Sequence, residues 1–168
     1  MQTKITIGLF GTCGNSEWRT PFIELYDSLN INYFNPVKAN WNQSDAIEEA
    51  EHLANDEIVL FPITGETLGI GSLAETGFSV LQAIKLEDKR DFIIMVEPDL
   101  IDSIKEENPH LYKESVRARA LIIQHLKKLR MSNVYIVENL DDMLYASTVL
   151  YKQAVERRIL KEYIERHK

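Results

Sequence analysis

The chain has 168 residues, of which 45% are hydrophobic, and its 26 acidic and 19 basic residues give a net charge of −7. This length and apolar content predict one domain with a substantial core. The negative charge opposes non-specific binding to nucleic acid and to anionic lipid, so neither is expected as a partner.

Two further absences and the cysteine count bear on the cellular location of the protein. No apolar run reaches the roughly 20 residues that cross a bilayer, and no targeting segment is recognisable. The single cysteine, Cys13, cannot form an intramolecular disulfide. We therefore expect a cytoplasmic protein that is not inserted in a membrane.

Apolar runs alternate with amphipathic segments along the chain, which predicts alternating strands and helices. The predicted strands are 4–10, 31–35, 57–63, 91–96 and 133–137, and the predicted helices are 18–29, 45–54, 73–86, 115–129 and 140–166. Strands that alternate with helices imply a parallel sheet covered on both faces. The expected fold is α/β, a flavodoxin-like three-layer sandwich with a five-stranded parallel sheet in order 2-1-3-4-5.

The strand order predicts where a ligand binds. In this order the switch point lies between strands one and three, which brings the loop 11–16 beside the loop 64–72. These loops are expected to form the pocket. The polar connection 97–114 is predicted to be an irregular surface loop, and a lid is the less favoured alternative.

Periodicity also predicts which helix faces are buried. In helix 45–54 the buried stripe is predicted at Ile47, Ala50 and Leu53. In helix 115–129 the apolar stripe consists of Val116, Ala120, Ile123 and Leu126. Trp18 is expected to pack in its helix, and the role of Trp41 stays open.

Glu75 is the principal candidate for chemistry, because it follows the glycine-rich loop after strand three. Ligands bind at the carboxyl ends of parallel strands, so a carboxylate there can serve as a nucleophile. However, Ser72-Leu73-Ala74-Glu75 also has the S-x-x-E form of a capping box. Spacing alone favours the cap over catalysis, although amides at a helix start keep a carboxylate ionised and the two roles are compatible.

Other candidates are weaker by sequence alone. The loop 10–16 contains two glycines and polar side chains that can hold a phosphate or a sugar hydroxyl, but it matches neither a P-loop nor a G-x-G-x-x-G pattern. A polar turn with Ser16 as helix cap explains it equally well. Asp56 is favoured as structural. The four histidines are scattered without metal-ligand spacing, so no metal site and no cofactor are expected.

The second helix is acidic, and most of its charge is expected to face water. Its carboxylates are Asp45, Glu48, Glu49 and Glu51. One carboxylate at the edge of the buried stripe can reach a pocket. Spacing does not decide which one.

Several segments together resemble the nucleoside 2-deoxyribosyltransferase superfamily, closest to its nucleoside 2-deoxyribosyltransferase-like branch. The resemblance spans roughly residues 4–137. It is carried by Phe10-Gly11-Thr12, Trp18, Phe34-Asn35-Pro36, the acidic helix before Asn55-Asp56, Thr67-Leu68-Gly69 and Ser72-Leu73-Ala74-Glu75-Thr76-Gly77. One departure is Leu9, where the transferases carry a tyrosine.

The resemblance implies cleavage of the N-glycosidic bond of a nucleoside or nucleotide, with transfer of the sugar to water or another base. Glu75 in its E-x-G element matches the family nucleophile, and the second carboxylate falls at Glu48, or at Glu49 if one residue is inserted. The residues implied to bind substrate are Gly11, Thr12, Ser16, Asp56, Gly69 and Ser72. The family also implies a homo-oligomer.

Two alternatives stay open. The chain is either an enzyme of this kind or a non-catalytic nucleotide-binding or sensing protein on the same fold. A third possibility is an unrelated activity such as flavin binding, which rests on fold analogy alone.

Overall fold

The computed structural model describes residues 4–14, 16–40, 42–85 and 90–167. Trp41, whose role the sequence leaves open, lies outside these ranges. The strands are β1 (Ile7–Leu9), β2 (Tyr33–Phe34), β3 (Ile58–Ile63), β4 (Asp91–Val96) and β5 (Val134–Ile136). The helices are α1 (Arg19–Leu29), α2 (Gln43–Asn55), α3 (Ile70–Lys85), α4 (Asp102–Glu107), α5 (Pro109–Leu126) and α6 (Leu140–Arg166).

The five strands form one parallel sheet in the order β2-β1-β3-β4-β5. Every residue of the central strand β3 is buried, as expected for a parallel strand covered on both faces. The predicted α/β fold class, flavodoxin-like sandwich and strand order are therefore confirmed.

Two apolar clusters lie between the three layers, one on each face of the sheet. One cluster joins α1 and α6 to one face of the sheet, through side chains such as Phe22, Tyr26 and Met143 packed on Ile7 and Ile58. The other cluster joins α2 and α5 to the opposite face. Alternation along the strands produces this division, since neighbouring strand residues point to opposite faces.

Three local predictions were wrong. The connection 97–114 is not irregular, because it contains α4 and the start of α5, where Pro109 occupies the first turn. On α2, Ile47 is 63% exposed and Ala50 is also exposed, whereas Asp45 is buried. On α5, Ala120 is exposed and Arg119 is wholly buried. Polar side chains thus replace apolar ones on parts of the inward faces.

Helix α6 runs back along the sheet to the amino ends of the central strands. Arg157 lies 3.4 Å from the Asp91 carboxylate at the start of β4, and Arg158 pairs with Glu57 before β3. Among the helices of the described ranges, none has both the length and the apolar character that crossing a membrane requires.

Candidate functional site

The loops that follow β1 and β3 lie against each other at the carboxyl edge of the sheet. The Thr12 amide donates to the Pro62 carbonyl at 3.0 Å, and the Thr64 amide donates to the Thr12 hydroxyl at 3.1 Å. Gly11 makes this approach possible, because its φ is +103° and a Cβ there would lie 2.5 Å from the Pro62 carbonyl oxygen. The predicted juxtaposition of the two loops is confirmed.

Three hydroxyls meet at this junction, and we call them the hydroxyl cluster: Thr12, Ser16 and Thr64. The Thr64 Oγ1 atom lies 2.9 Å from Thr12 Oγ1 and 3.1 Å from Ser16 Oγ. The Glu66 carboxylate accepts a hydrogen bond from Thr64 Oγ1 at 3.3 Å. Thr12 and Thr64 are buried, whereas Ser16 is half-buried and Glu66 is exposed. The cluster therefore opens towards solvent on the side of Ser16 and Glu66.

A buried arginine, Arg19, holds the loop after β1. Its guanidinium donates to the carbonyls of Leu9 at 3.0 Å, Thr12 at 2.7 Å and Gly11 at 3.4 Å. It also lies over the Trp18 ring, 4.4 Å from the centroid, and the Trp18 indole donates to the Thr12 carbonyl at 2.9 Å. Trp18 is buried in the core, as predicted.

A second buried arginine, Arg119, holds the loop after β3. It donates five hydrogen bonds: to Ile63 O at 3.0 Å, Glu97 O at 2.9 Å, Thr64 O at 2.9 Å, Thr67 O at 2.8 Å and Ser115 Oγ at 3.3 Å. Burial lowers the pKa of Arg119, and the nearby negative charge of Glu97 opposes that effect. Because a guanidinium has five N–H groups, all of them are used within the protein.

The start of α3 places Glu75 one turn further into the helix than the sequence suggested. The helix begins at Ile70, and the Leu73 amide donates to the Gly69 carbonyl at 2.9 Å. Ser72 consequently lies inside the helix and not at its N-cap, so the capping-box interpretation was wrong. Gly69 has a φ of +63°, and a Cβ there would approach Arg119 Nη2 to 3.0 Å.

Glu75 interacts electrostatically with two other charged groups. Burial raises the pKa of Glu75, the negative charge of Glu49 raises it further, and the positive charge of Arg19 opposes both. Both carboxylates are half-buried, one on α3 and the other on α2. The three charges thus act on one another electrostatically, and we call them the Glu75–Glu49–Arg19 group.

Glu48, the other predicted second carboxylate, lies in a different setting. Its side chain is 46% exposed and pairs with Lys38, whose ammonium also lies 2.9 Å from the Asp45 carboxylate. Asp45 in turn accepts from the Asn42 amide in the capping box that begins α2. Glu48 therefore belongs to an ion-pair network at the start of α2.

Asp56 is not brought to the two loops. It lies between α2 and the start of β3, at the end of β3 opposite the loop 64–69. Its carboxylate is buried, 2.9 Å from His52 Nδ1, and burial raises the pKa of Asp56 to about 6. The His52 ring stacks on Phe34 with 3.7 Å between ring centroids. This position agrees with the structural role that the sequence favoured.

Sequence reasoning missed both buried arginines. For Arg119 a signal existed, because Ser115, Arg119 and Leu126 follow helical spacing and all three are buried. For Arg19 the sequence signal was weak, since it consisted only of a position directly after Trp18 at the start of an amphipathic helix. Neither spacing reveals that the guanidinium groups bind loop carbonyls.

No known family model matches the chain, and no curated protein sequence matches it. In the ranges that the structure describes, no group of three or more His, Cys, Asp or Glu side chains is arranged to hold a metal ion. The functional interpretation therefore depends on the chemistry of the site and on the motif resemblance.

Proposed function

We propose that this chain cleaves the N-glycosidic bond of a nucleoside or nucleotide and transfers the (deoxy)ribosyl group to water or to another base. The observation that carries the proposal is the Glu75–Glu49–Arg19 group at the carboxyl edge between β1 and β3. Retaining glycosidic cleavage requires two carboxyl groups at the reacting centre, one as nucleophile and one as proton donor. The motif resemblance assigns the nucleophile to the same residue, Glu75.

The proposed reaction has two steps. In the first, a Glu75 carboxylate oxygen bonds to the anomeric carbon while the bond from that carbon to the base nitrogen breaks, and the second carboxyl gives its proton to the departing base. In the second step, water or another base bonds to the anomeric carbon and the ester to Glu75 breaks. The second carboxylate accepts the proton that the incoming nucleophile releases.

Glu49 is the second carboxylate in this proposal. Its half-buried position and its electrostatic effect on Glu75 support this assignment, whereas the Glu48 side chain is 46% exposed. The negative charge of Glu49 raises the pKa of Glu75, as expected where two carboxyl groups lie near each other. Arg19 favours the ionised form of Glu75, which is the form that attacks carbon.

The loops supply the remaining functions. The Ser16 hydroxyl supports a role in holding the sugar, because it lies at the open side of the junction and carries acceptor lone pairs. Thr12 is buried behind it, and its role in binding substrate stays a prediction. Gly11 and Gly69 allow the close packing that fixes these loops. Ser72 is buried in the first turn of α3, and its role in binding substrate stays a prediction. A homo-oligomer and a cytoplasmic setting likewise stay predictions.

The first test measures base release from ribo- and 2′-deoxynucleosides and their 5′-monophosphates. Glu75→Gln keeps the shape of the side chain but removes the nucleophile, so we expect the rate to fall by on the order of 10³ or more. Mass spectrometry of a reaction quenched during turnover should find the sugar ester on the peptide that carries Glu75. Undiminished turnover in Glu75→Gln would remove the proposed mechanism.

Two adjacent glutamates provide a matched comparison for the second carboxylate. Glu49→Gln should lower base release by roughly 10² to 10⁴, the usual contribution of a general acid. Glu48→Gln should stay near the wild-type rate, because its partner is Lys38. The reverse pattern would assign the role to Glu48. Tight nucleoside binding by the wild-type chain without any turnover would support the sensing alternative instead.

A further inference from the structure

The hydroxyl cluster has fewer protons than contacts. Thr12 Oγ1 lies 3.1 Å from the Pro62 carbonyl and 2.9 Å from Thr64 Oγ1, and Thr64 Oγ1 also contacts Ser16 and Glu66. These are four contacts between oxygen atoms, and the three hydroxyls provide one proton each. Three protons cannot fill four contacts, so acceptor lone pairs outnumber donors in the cluster. With Thr12 donating to the Pro62 carbonyl and Thr64 donating to the Glu66 carboxylate, the cluster offers a ligand mainly lone pairs, which accept hydrogen bonds.

The charged groups around the cluster add to this acceptor character. The Glu66 carboxylate lies at the exposed side of the cluster with one oxygen on Thr64. The amide of Gly65, a donor of the kind that binds phosphate, donates instead to the Glu97 carboxylate. Both loops thus direct negative charge or lone pairs at the junction.

Among the described residues, the two arginines that hold these loops are engaged by the protein. Arg119 donates all five of its N–H groups to protein oxygens. Arg19 donates to the carbonyls of Leu9, Thr12 and Gly11 and to Cys13 Sγ. A phosphate at the cluster would have to displace one of the Arg119 hydrogen bonds to pair with that guanidinium.

From this arrangement we infer that the site accepts nucleosides with a free 5′-hydroxyl and rejects their 5′-monophosphates, and that Glu66 is the residue that enforces the difference. The inference rests on the proposed function, whose substrate class it narrows. A phosphate monoester carries a charge of about −1.5 to −2 and presents acceptor oxygens. A hydroxyl can donate to Glu66 or to a lone pair of the cluster, so only the hydroxyl complements the site.

The experiment compares kcat/KM and Kd for each nucleoside with its own 5′-monophosphate, in the wild-type chain and in Glu66→Gln. The glutamine keeps an oxygen that can accept from Thr64 but carries no charge. We expect Glu66→Gln to reduce the ratio of nucleoside to monophosphate kcat/KM by on the order of tenfold. This is the size of effect expected when one negative charge several ångströms from a phosphate dianion is removed. Glu165→Gln, an equal change of net charge on the exposed end of α6, should leave the preference unchanged.

The outcomes separate this inference from the proposed function. Equal use of nucleosides and monophosphates by the wild-type chain would overturn the inference and leave the proposed function intact. A preference that Glu66→Gln does not narrow, or that Glu165→Gln narrows equally, would also overturn it. If no base is released from any compound, the proposed function fails, and the Kd values still decide the inference: monophosphates that bind as tightly as nucleosides contradict it.

Discussion

At the scale of single residues, Glu75 and Asp56 show how burial changes a carboxylate according to its neighbours. Burial raises the pKa of both, and a carboxylate and a guanidinium act on each: Glu49 and Arg19 on Glu75, and Glu57 and Arg90 on Asp56. Asp56 also has a histidine beside it and one oxygen, Oδ2, without a hydrogen-bond partner among the described residues. Their positions differ, because Glu75 follows the loop at the carboxyl end of β3, whereas Asp56 lies before β3 and its raised pKa bears on stability.

Asp56 should make the folded state less stable as the pH rises. Its folded-state pKa of about 6 exceeds the ordinary 3.8, so the folded chain holds this proton more tightly than the unfolded chain. The stabilising contribution is complete below pH 3.8 and is lost as the pH rises through about 6. Asp56→Asn lacks this titration. The free energy of unfolding of Asp56→Asn minus that of wild type should therefore increase by on the order of 1–2 kcal/mol from pH 5 to pH 8.

Urea unfolding of both chains at several pH values measures this difference, and it cancels the titrating groups that lie away from Asp56. The groups that face Asp56 are His52, Glu57 and Arg90, and they are present in both chains. The control is Asp99→Asn, an exposed aspartate, which should follow the wild-type pH dependence. Parallel pH profiles for wild type and Asp56→Asn would show that the Asp56 carboxyl does not titrate differently on folding.

At the scale of elements, the inward faces of α2 and α5 explain why sequence periodicity located the site only in part. The stripe rule assumes that the buried face of a helix is apolar. Near the carboxyl edge that assumption fails, because loop carbonyls require donors and Arg119 supplies them from α5. Glu49, half-buried on α2, departs from the rule in the same way. Spacing alone cannot distinguish such residues from solvent-facing charges.

Replacing Arg119 should therefore cost more than replacing an ordinary charged residue. Arg119→Met leaves loop and strand carbonyls without donors in a buried setting, and we expect a loss of roughly 3–5 kcal/mol in the free energy of unfolding. Arg119→Lys retains the charge, but one ammonium cannot reach all four carbonyls that the guanidinium binds, those of Ile63, Thr64, Thr67 and Glu97. The lysine should therefore recover only part of the lost stability. Chemical denaturation followed by circular dichroism measures both.

Arg117→Met is the matched control, since Arg117 lies on the same helix and is exposed. It should change the free energy of unfolding by no more than about 0.5 kcal/mol. A loss for Arg119→Met as small as that of the control would mean that the guanidinium does not hold the loop after β3.

At the scale of the whole molecule, alternation of apolar and amphipathic segments predicted the parallel sheet, and the flavodoxin-like strand order chosen for it is confirmed. Strand β4 and helix α6 agree with their predicted ranges, because strong apolar runs and clear stops bound both. The short edge strand β2 and the start of α3 were less well predicted, since glycine and proline leave several possible starts there. The individual side-chain contacts that join the layers were not predictable, because periodicity does not say which side chains on facing elements meet.

One such contact joins the first helix to the last. The Tyr26 hydroxyl on α1 bonds to Ser147 Oγ on α6, across 121 positions of sequence, and both side chains are wholly buried. Ser147 also donates to the Leu144 carbonyl at 2.9 Å, so the proton in the bond between the two hydroxyls comes from Tyr26. This pair is a buried polar connection between α1 and α6.

A double-mutant cycle on this pair tests whether α1 and α6 stabilise each other through it. Tyr26→Phe should lower the free energy of unfolding by about 1 kcal/mol, and Ser147→Ala by about 1–3 kcal/mol, because the latter leaves a buried phenol without an acceptor. The double variant should lose less than the sum of the two, by on the order of 1 kcal/mol. Tyr145→Phe on α6, with Tyr145 75% exposed, should change stability by less than about 0.5 kcal/mol. Strictly additive losses in urea unfolding would mean that the hydroxyl pair does not couple the two helices.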